Sequence, residues 1–227
     1  MESLSLLQIS LIVLFSGLIS VDRLAGLNIM ISRPLVVSGV IGIIAGDITT
    51  AFMFGLIFEF IGMQEVPVGT TVADDDTFGG YAGAFLAVFG IVPYNAISIL
   101  ATIFFISVVM YPVSYTDKLY RYINRIFLNK GLEKYKDSTE NQLISLGFIF
   151  AFIRGLIVYN LGFLLVFVCV SLFNLIDFNS TPNYEPLIAL TIIATFLGGY
   201  FMRFLVINNL MKFLLLSCGL AVGWLFT

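Results

Sequence analysis

The chain has 227 residues, of which 59% are hydrophobic and 11% charged, with a formal net charge of −3 and a mean hydropathy of +1.04. Soluble domains carry roughly 25% charged residues, so this composition excludes an ordinary soluble domain and describes an integral membrane protein. Histidine is absent, which removes a phosphohistidine, a histidine-ligated metal and a histidine general base from the chain.

The longest uncharged runs reach the roughly 20 residues that take a helix across a hydrocarbon core of about 30 Å, and a helix satisfies its own backbone there. The expected fold is therefore all-α: a polytopic transmembrane helical bundle with short re-entrant segments, forming one domain over residues 1–227. Leu4 to Ser20 follows Glu2 and not a basic leader, so it reads as a retained first helix. Cys169 and Cys218 sit in apolar runs without metal or redox spacing and read as buried thiols.

A linker is expected from Val21 to Ser32, with Asp22, Arg23, Gly26 and Asn28. Pro34 suits a first helical turn, where its missing N–H costs nothing. The run Pro34 to Gly46 has 13 residues, about 20 Å as a helix, and cannot span alone. Ser38, Gly42 and Gly46 recur every four residues, a small-residue face that admits a close neighbour. Asp47 reads first as the N-cap of the next helix, with a direct substrate role as the other reading.

In the run Ile48 to Met63, Ala51, Gly55 and Glu59 share one face. An acid in such a segment costs about 3 kcal/mol to expose to lipid, so Glu59 faces protein or a cavity. It is either a functional group or a carboxylate capping a neighbouring helix. Gln64 to Gly80 carries Pro67, Gly69 and the triplet Asp74, Asp75, Asp76, a composition that breaks a continuous helix. Irregular backbone at membrane depth requires cover from protein or a water-filled cavity. The triplet does not meet the spacing of a calcium-binding helix–loop–helix, and no metal is expected. The run Phe78 to Val92 is again short and rich in glycine. Short elements flanking a polar break point to a transporter binding site, so the core with its re-entrant segments is expected at about 33–92.

Tyr94 to Tyr115 is long enough to cross. Between Asp117 and Glu140 lie six of the 11 basic residues, which makes the loop at about 117–140 cytoplasmic by the positive-inside rule. Leu119, Tyr122, Ile123 and Ile126 share a face, predicting an amphipathic helix lying on the inner surface. Asn141 to Ile176 is a 36-residue apolar run containing Arg154 and Asn160, which one crossing accommodates only if tilted or broken. Arg154 needs an acid, for which Glu59 is the candidate, or a headgroup to snorkel to. Two further runs, Pro186 to Val206 and Leu210 to Phe226, meet at Asn208 and Asn209, a turn that Arg203 and Lys212 mark as cytoplasmic.

The central stretch carries Arg33-Pro34-Leu35-Val36, then Gly42 to Gly46-Asp47, Glu59, and Val66-Pro67-Val68-Gly69 leading to Asp75. This ordered string resembles the membrane IIC component of the mannose/fructose/sorbose family of bacterial sugar phosphotransferase systems. The resemblance implies a sugar-translocating subunit in the bacterial inner membrane, paired with a IID membrane subunit as a trimer of pairs. It also implies cytosolic IIA and IIB components that carry the phosphoryl group on their own histidines, an elevator-like motion, and no cofactor or phosphoryl acceptor in this chain. Glu59 and Asp75, with Asp74, would accept hydrogen bonds from the hydroxyls of a hexose or amino sugar. The backbone at Val68 and Gly69 would approach the ligand, and Asp47 and Pro67 would shape the site. Asp74 stands where the family commonly has proline, and Glu65 where less polar residues are common. Those departures keep a second reading open, a non-transporting assembly or regulatory subunit. An intramembrane enzyme built on the carboxylates is the third.

Overall fold

The computed structural model describes residues 4–26, 29–63, 74–92, 96–134 and 140–175, together with 211, 214 and 217. Pro67, Val68, Gly69 and the turn at Asn208 and Asn209 lie outside the described residues. Among the described residues every regular element is a helix. Helix α1 (Leu6–Leu24) starts at a capping box, Ser5 with Gln8. The Gln8 amide then reaches the Ile44 carbonyl at 2.8 Å. Helix α1 runs further than the sequence suggested: Asp22 and Arg23, expected in a linker, are helical. The Asp22 carboxylate accepts the Ile29 and Ser32 N–H groups, each at 2.8 Å, and so organises the chain that leaves the helix.

Three short helices follow. Helix α2 (Pro34–Ala45) begins at its proline and ends at Gly46, whose φ of 84° is left-handed and favours glycine. Gly46 is thus a helix terminator and not the third member of a packing face. Asp47 caps helix α3 (Ile48–Gly62) by accepting the Thr50 N–H at 3.2 Å and the Thr50 hydroxyl at 2.5 Å. Helix α4 (Asp76–Val88) is capped by Asp75, which accepts the Phe78 N–H at 3.0 Å. At 12, 15 and 13 residues, the three are about 18–23 Å long, below the hydrocarbon thickness.

What they lack in length they recover in closeness. A methyl group on Gly55 would lie 1.8 Å from Ser38 Oγ, one on Gly42 2.7 Å from Ile48 Cα, and one on Gly80 2.7 Å from Pro34 Cα. Gly79 and Gly83 receive the rings of Phe58 and Phe54. Small residues let helix backbones approach where lipid supplies no hydrophobic drive, and dispersion contacts then hold them. Val37, Ile41, Phe54, Phe58, Phe78, Tyr81 and Phe85 fill the space between.

The long helices surround this trio. Three segments, Leu6–Leu24, Ser98–Phe127 and Ile144–Asn174, are long and apolar enough to cross a membrane. Their outer faces present Leu7, Leu11, Leu14 and Leu18 on α1 and Leu161, Leu164, Leu165, Val168 and Leu172 near the C-terminal end, which is the surface a bilayer covers. Helix α5 (Ala96–Lys134) has 39 residues with Pro112 inside, about 58 Å in all. The separate amphipathic helix expected after Asp117 is instead the continuation of α5. Its packed face is Tyr120 and Phe127: the Tyr120 hydroxyl donates to the Gly147 carbonyl at 2.9 Å, and Phe127 stacks on Phe150 at 5.3 Å. Of the expected apolar face, Leu119, Tyr122 and Ile123 are exposed and Ile126 is half-buried, and Phe127 keeps a comparable exposure beside its stack.

The 36-residue run is one path with a defect in it: helix α6 (Glu140–Arg154), a π-helical turn (Gly155–Tyr159), and helix α7 (Asn160–Asn174). Because a Cβ on Gly80 meets backbone and not a yielding side chain, Gly80→Val is expected to cost about 1–3 kcal/mol or more and to lower the melting temperature in detergent. Gly39→Val, whose nearest neighbour stands at 3.9 Å, is the control expected to melt with the wild type.

Candidate functional site

The three short helices meet the long ones at the head of α4, and the contact is ionic. Asp75 is fully buried. Beyond capping α4, its carboxylate accepts from the Tyr159 hydroxyl at 3.0 Å and from Arg154 Nη2 at 3.3 Å, and Arg23 Nη1 stands 3.5 Å away. Its own N–H donates to Ser114 Oγ at 2.7 Å. Asp117 on α5, also buried, contacts the Arg154 guanidinium and lies 3.5 Å from Arg23 Nε. Three acids and two arginines, Asp75, Asp76 and Asp117 with Arg23 and Arg154, drawn from α1, the head of α4, α5 and α6, form one ionic cluster. Asp75, Asp117 and Arg154 are buried, and the loss of water is offset only while their partners stay in place.

Arg154 is fixed further by Thr116 Oγ1 at 2.9 Å, the Val113 carbonyl at 3.2 Å and Ser20 Oγ at 3.3 Å. The π turn places Tyr159 beside it. In an α-helix, residues five apart point roughly 140° away from each other. The i to i+5 bonding of a π turn brings them nearer to one face, and the Arg154 guanidinium lies 5.2 Å from the Tyr159 ring centre. Gly155 opens the same turn: a Cβ there would lie 2.4 Å from Ser20 Cβ and 2.5 Å from the Ser16 carbonyl oxygen, so α1 can seat against it only because that side chain is missing. Past the turn, Asn160 accepts the Tyr81 hydroxyl at 2.8 Å and donates to Ser16 Oγ at 3.0 Å, a second polar tie between α4 and the long helices.

Glu59 belongs elsewhere. It accepts the Leu35 N–H at 3.2 Å and stands 3.6 Å from Arg33 Nη1. The Glu59–Arg154 pair anticipated from the sequence does not form, because Arg154 is taken by Asp75 and Asp117. Glu59 does occupy the first turn of α2 as a capping carboxylate, with 20% of its side chain exposed. Asp74 contributes its carbonyl to Arg23 Nη2 at 3.1 Å. Asp76, read only as part of an acidic triplet, takes Arg23 Nη1 at 2.8 Å. Arg23, Asp117 and Tyr159 were not singled out from sequence. The usable signal was that Arg23 and Asp117 are charges just inside apolar helices. Tyr159 left none, since a tyrosine in an apolar run is ordinary. Among the described residues no group of three metal-binding side chains occurs.

A family model described as the PTS system sorbose-specific IIC component matches residues 6–222. The chain belongs to this family. A search of curated proteins found no match. As a IIC component it is a membrane subunit of a sugar phosphotransferase system, and it works with the other components of that system and with a sugar.

The cluster and the Glu59 pair differ in burial, so they should differ in worth. Arg154→Met strands Asp75 and Asp117 and is expected to destabilise by about 3–5 kcal/mol. Arg33→Met breaks a pair whose arginine is 52% exposed and is expected to cost about 1 kcal/mol or less. Thermal unfolding of the two variants in one detergent checks the contrast.

Proposed function

We propose that this chain is the sugar-translocating subunit of its system, binding a hexose or amino sugar at the α2–α4 trio and passing it inward for phosphorylation by a partner. The observation that carries this reading is the trio itself. Three helices too short to span are packed closely on one another through small residues, and they meet the long helices through an apolar core that includes Phe85 and Phe163 and through an ionic cluster at the head of α4. A body of that kind can move as a unit against a scaffold, which is what an elevator-like mechanism requires.

In this assignment Glu59, partly exposed beside the N-terminus of α2, accepts sugar hydroxyls. Asp75, wholly inside the protein, positions the head of α4. Asp74, next to Asp75 in the chain, would add a further acceptor, and in this reading the backbone at Val68 and Gly69 would approach the ligand, with Pro67 shaping the site. Asp47 keeps the α2–α3 turn. The partners are a IID membrane subunit, in a trimer of IIC–IID pairs, and cytosolic IIA and IIB components that hold the phosphoryl group, in keeping with the absence of histidine here. The membrane is the bacterial inner membrane. The α5 extension, with exposed Arg121 and Arg125, faces the cytoplasm, where basic residues are retained.

The test is phosphoenolpyruvate-dependent uptake of labelled hexoses and amino sugars by cells expressing the chain with its companion components. Uptake coupled to sugar phosphorylation is expected. Glu59→Gln is expected to reduce it tenfold or more, as suits loss of a charge-assisted hydrogen bond worth about 1.5–3 kcal/mol. An assembled complex that takes up no sugar would favour the assembly or regulatory subunit instead.

A further inference from the structure

Beside the buried cluster, and sharing Arg23 and Asp76 with it, lies a polar cavity of about 380 Å³ lined by Asp22, Arg23, Met30, Ser32, Arg33, Asp76 and Thr77. Its volume falls in the range of about 300–1,000 Å³ typical of small-molecule sites. We infer that this cavity holds the ring of a neutral sugar, with Asp76 and Arg33 reading its hydroxyls. The inference rests on the sugar-translocating role proposed above and names binding groups which that proposal does not include.

The cavity is built, not left over. Asp22 gathers the Ile29 and Ser32 N–H groups. Thr77 donates its hydroxyl to the Ser32 carbonyl at 2.6 Å, and the Arg33 N–H bonds the Met30 carbonyl at 3.3 Å. Met30 is the one non-glycine residue with positive φ, 64°, among the described residues. A long side chain in that region carries a backbone cost that the surrounding contacts must offset, and such positions gather at functional sites.

Asp76 is divided between two tasks. Its Oδ1 is occupied by Arg23 Nη1 at 2.8 Å and by the Thr77 N–H at 2.9 Å. Its Oδ2 packs against Gly62 of α3, where an added methyl group would lie 2.0 Å from it. The carboxylate is thus held in place by the protein, and as a partly exposed lining group of the cavity it keeps lone pairs for an outside donor. Arg33, half exposed and paired with Glu59 only at 3.6 Å, supplies N–H donors. A vicinal diol needs such a set, one acceptor and one donor at the same wall.

Charge decides the ligand class. Both arginines at the cavity already face carboxylates, Arg23 toward Asp76 and Arg33 toward Glu59, so a phosphate would have to displace an acid that stays with the protein. A neutral polyol meets no such penalty. Asp75, which the resemblance nominated, presents no surface, whereas its neighbour in sequence does, with 18% of its side chain exposed.

The experiment uses the purified membrane complex and equilibrium binding of labelled aldohexoses, ketohexoses and N-acetylhexosamines, with inorganic phosphate as competitor. The expected result is that Asp76→Asn and Arg33→Lys each raise the Kd of the bound sugar about tenfold or more while leaving the melting temperature of the unliganded complex within a few degrees. Gly62→Ala, which displaces the Asp76 carboxylate without removing its charge, should weaken binding in the same direction. Phosphate should not compete. Sugar binding within twofold of wild type in both Asp76→Asn and Arg33→Lys would overturn the inference and leave the transport reading standing. Displacement of the sugar by phosphate at comparable concentration would overturn its neutral-ligand part. A wild-type complex that binds none of the sugars would remove both readings together.

Discussion

The structure depends on one carboxylate. Asp75 caps α4, and a cap at that point must sit where the first turn of the helix meets the interior of the bundle. A charge there is intolerable without cations and donors. Arg23, Arg154, Tyr159 and Ser114 are what answer it, and they come from three separate stretches of chain. Tying them to a single residue draws α1, α5 and the α6–α7 path around the same point, so the arrangement of the long helices follows from how that acid is satisfied.

Local irregularities in the long helices fit the same requirement. Pro112 sits in α5 beside Val113, Ser114 and Thr116, the positions that serve Arg154 and Asp75. The π turn occurs between Arg154 and Tyr159, which both reach Asp75. A regular α-helix would carry the two side chains to different faces. Helix defects of this kind cost backbone regularity and are retained where they aim side chains. Glycine plays the complementary part: Gly155 admits α1 to the turn, and Gly79, Gly80 and Gly83 admit α2 and α3 to α4.

The result separates two kinds of contact. Inside the trio, glycine-mediated closeness, with the rings of Phe58 and Phe54 seated on Gly79 and Gly83, gives a unit with little room to slide. Between the trio and the long helices, hydrogen bonds and ion pairs carry much of the specificity, with Tyr81, Phe85 and Phe163 adding an aromatic seam in which Phe85 and Phe163 stack at 4.2 Å. A membrane subunit that passes a sugar across a bilayer needs a part that holds its shape and a boundary that can exchange partners.

Hydropathy alone settled that the chain is helical and membrane-embedded, which runs are long and which are short. Element length is dictated by the thickness of the bilayer and the helical rise, both of which are independent of neighbours. The cap at Asp47 is equally local, as is the ordered string from Arg33 to Asp75 that marks the family, whereas the cap at Asp75 was seen only in the structure. Partner choice was not local. Arg154 announced that it needed an acid, but whether Glu59 or Asp75 lay across from it depends on which helices are adjacent, and periodicity within one helix carries no record of that. For the same reason the stretch after Asp117 read as a surface helix: an apolar face is equally satisfied by headgroups or by a neighbour. Only the tertiary structure decided that α5 continues and that Tyr120 and Phe127, not Leu119 and Tyr122, meet α6.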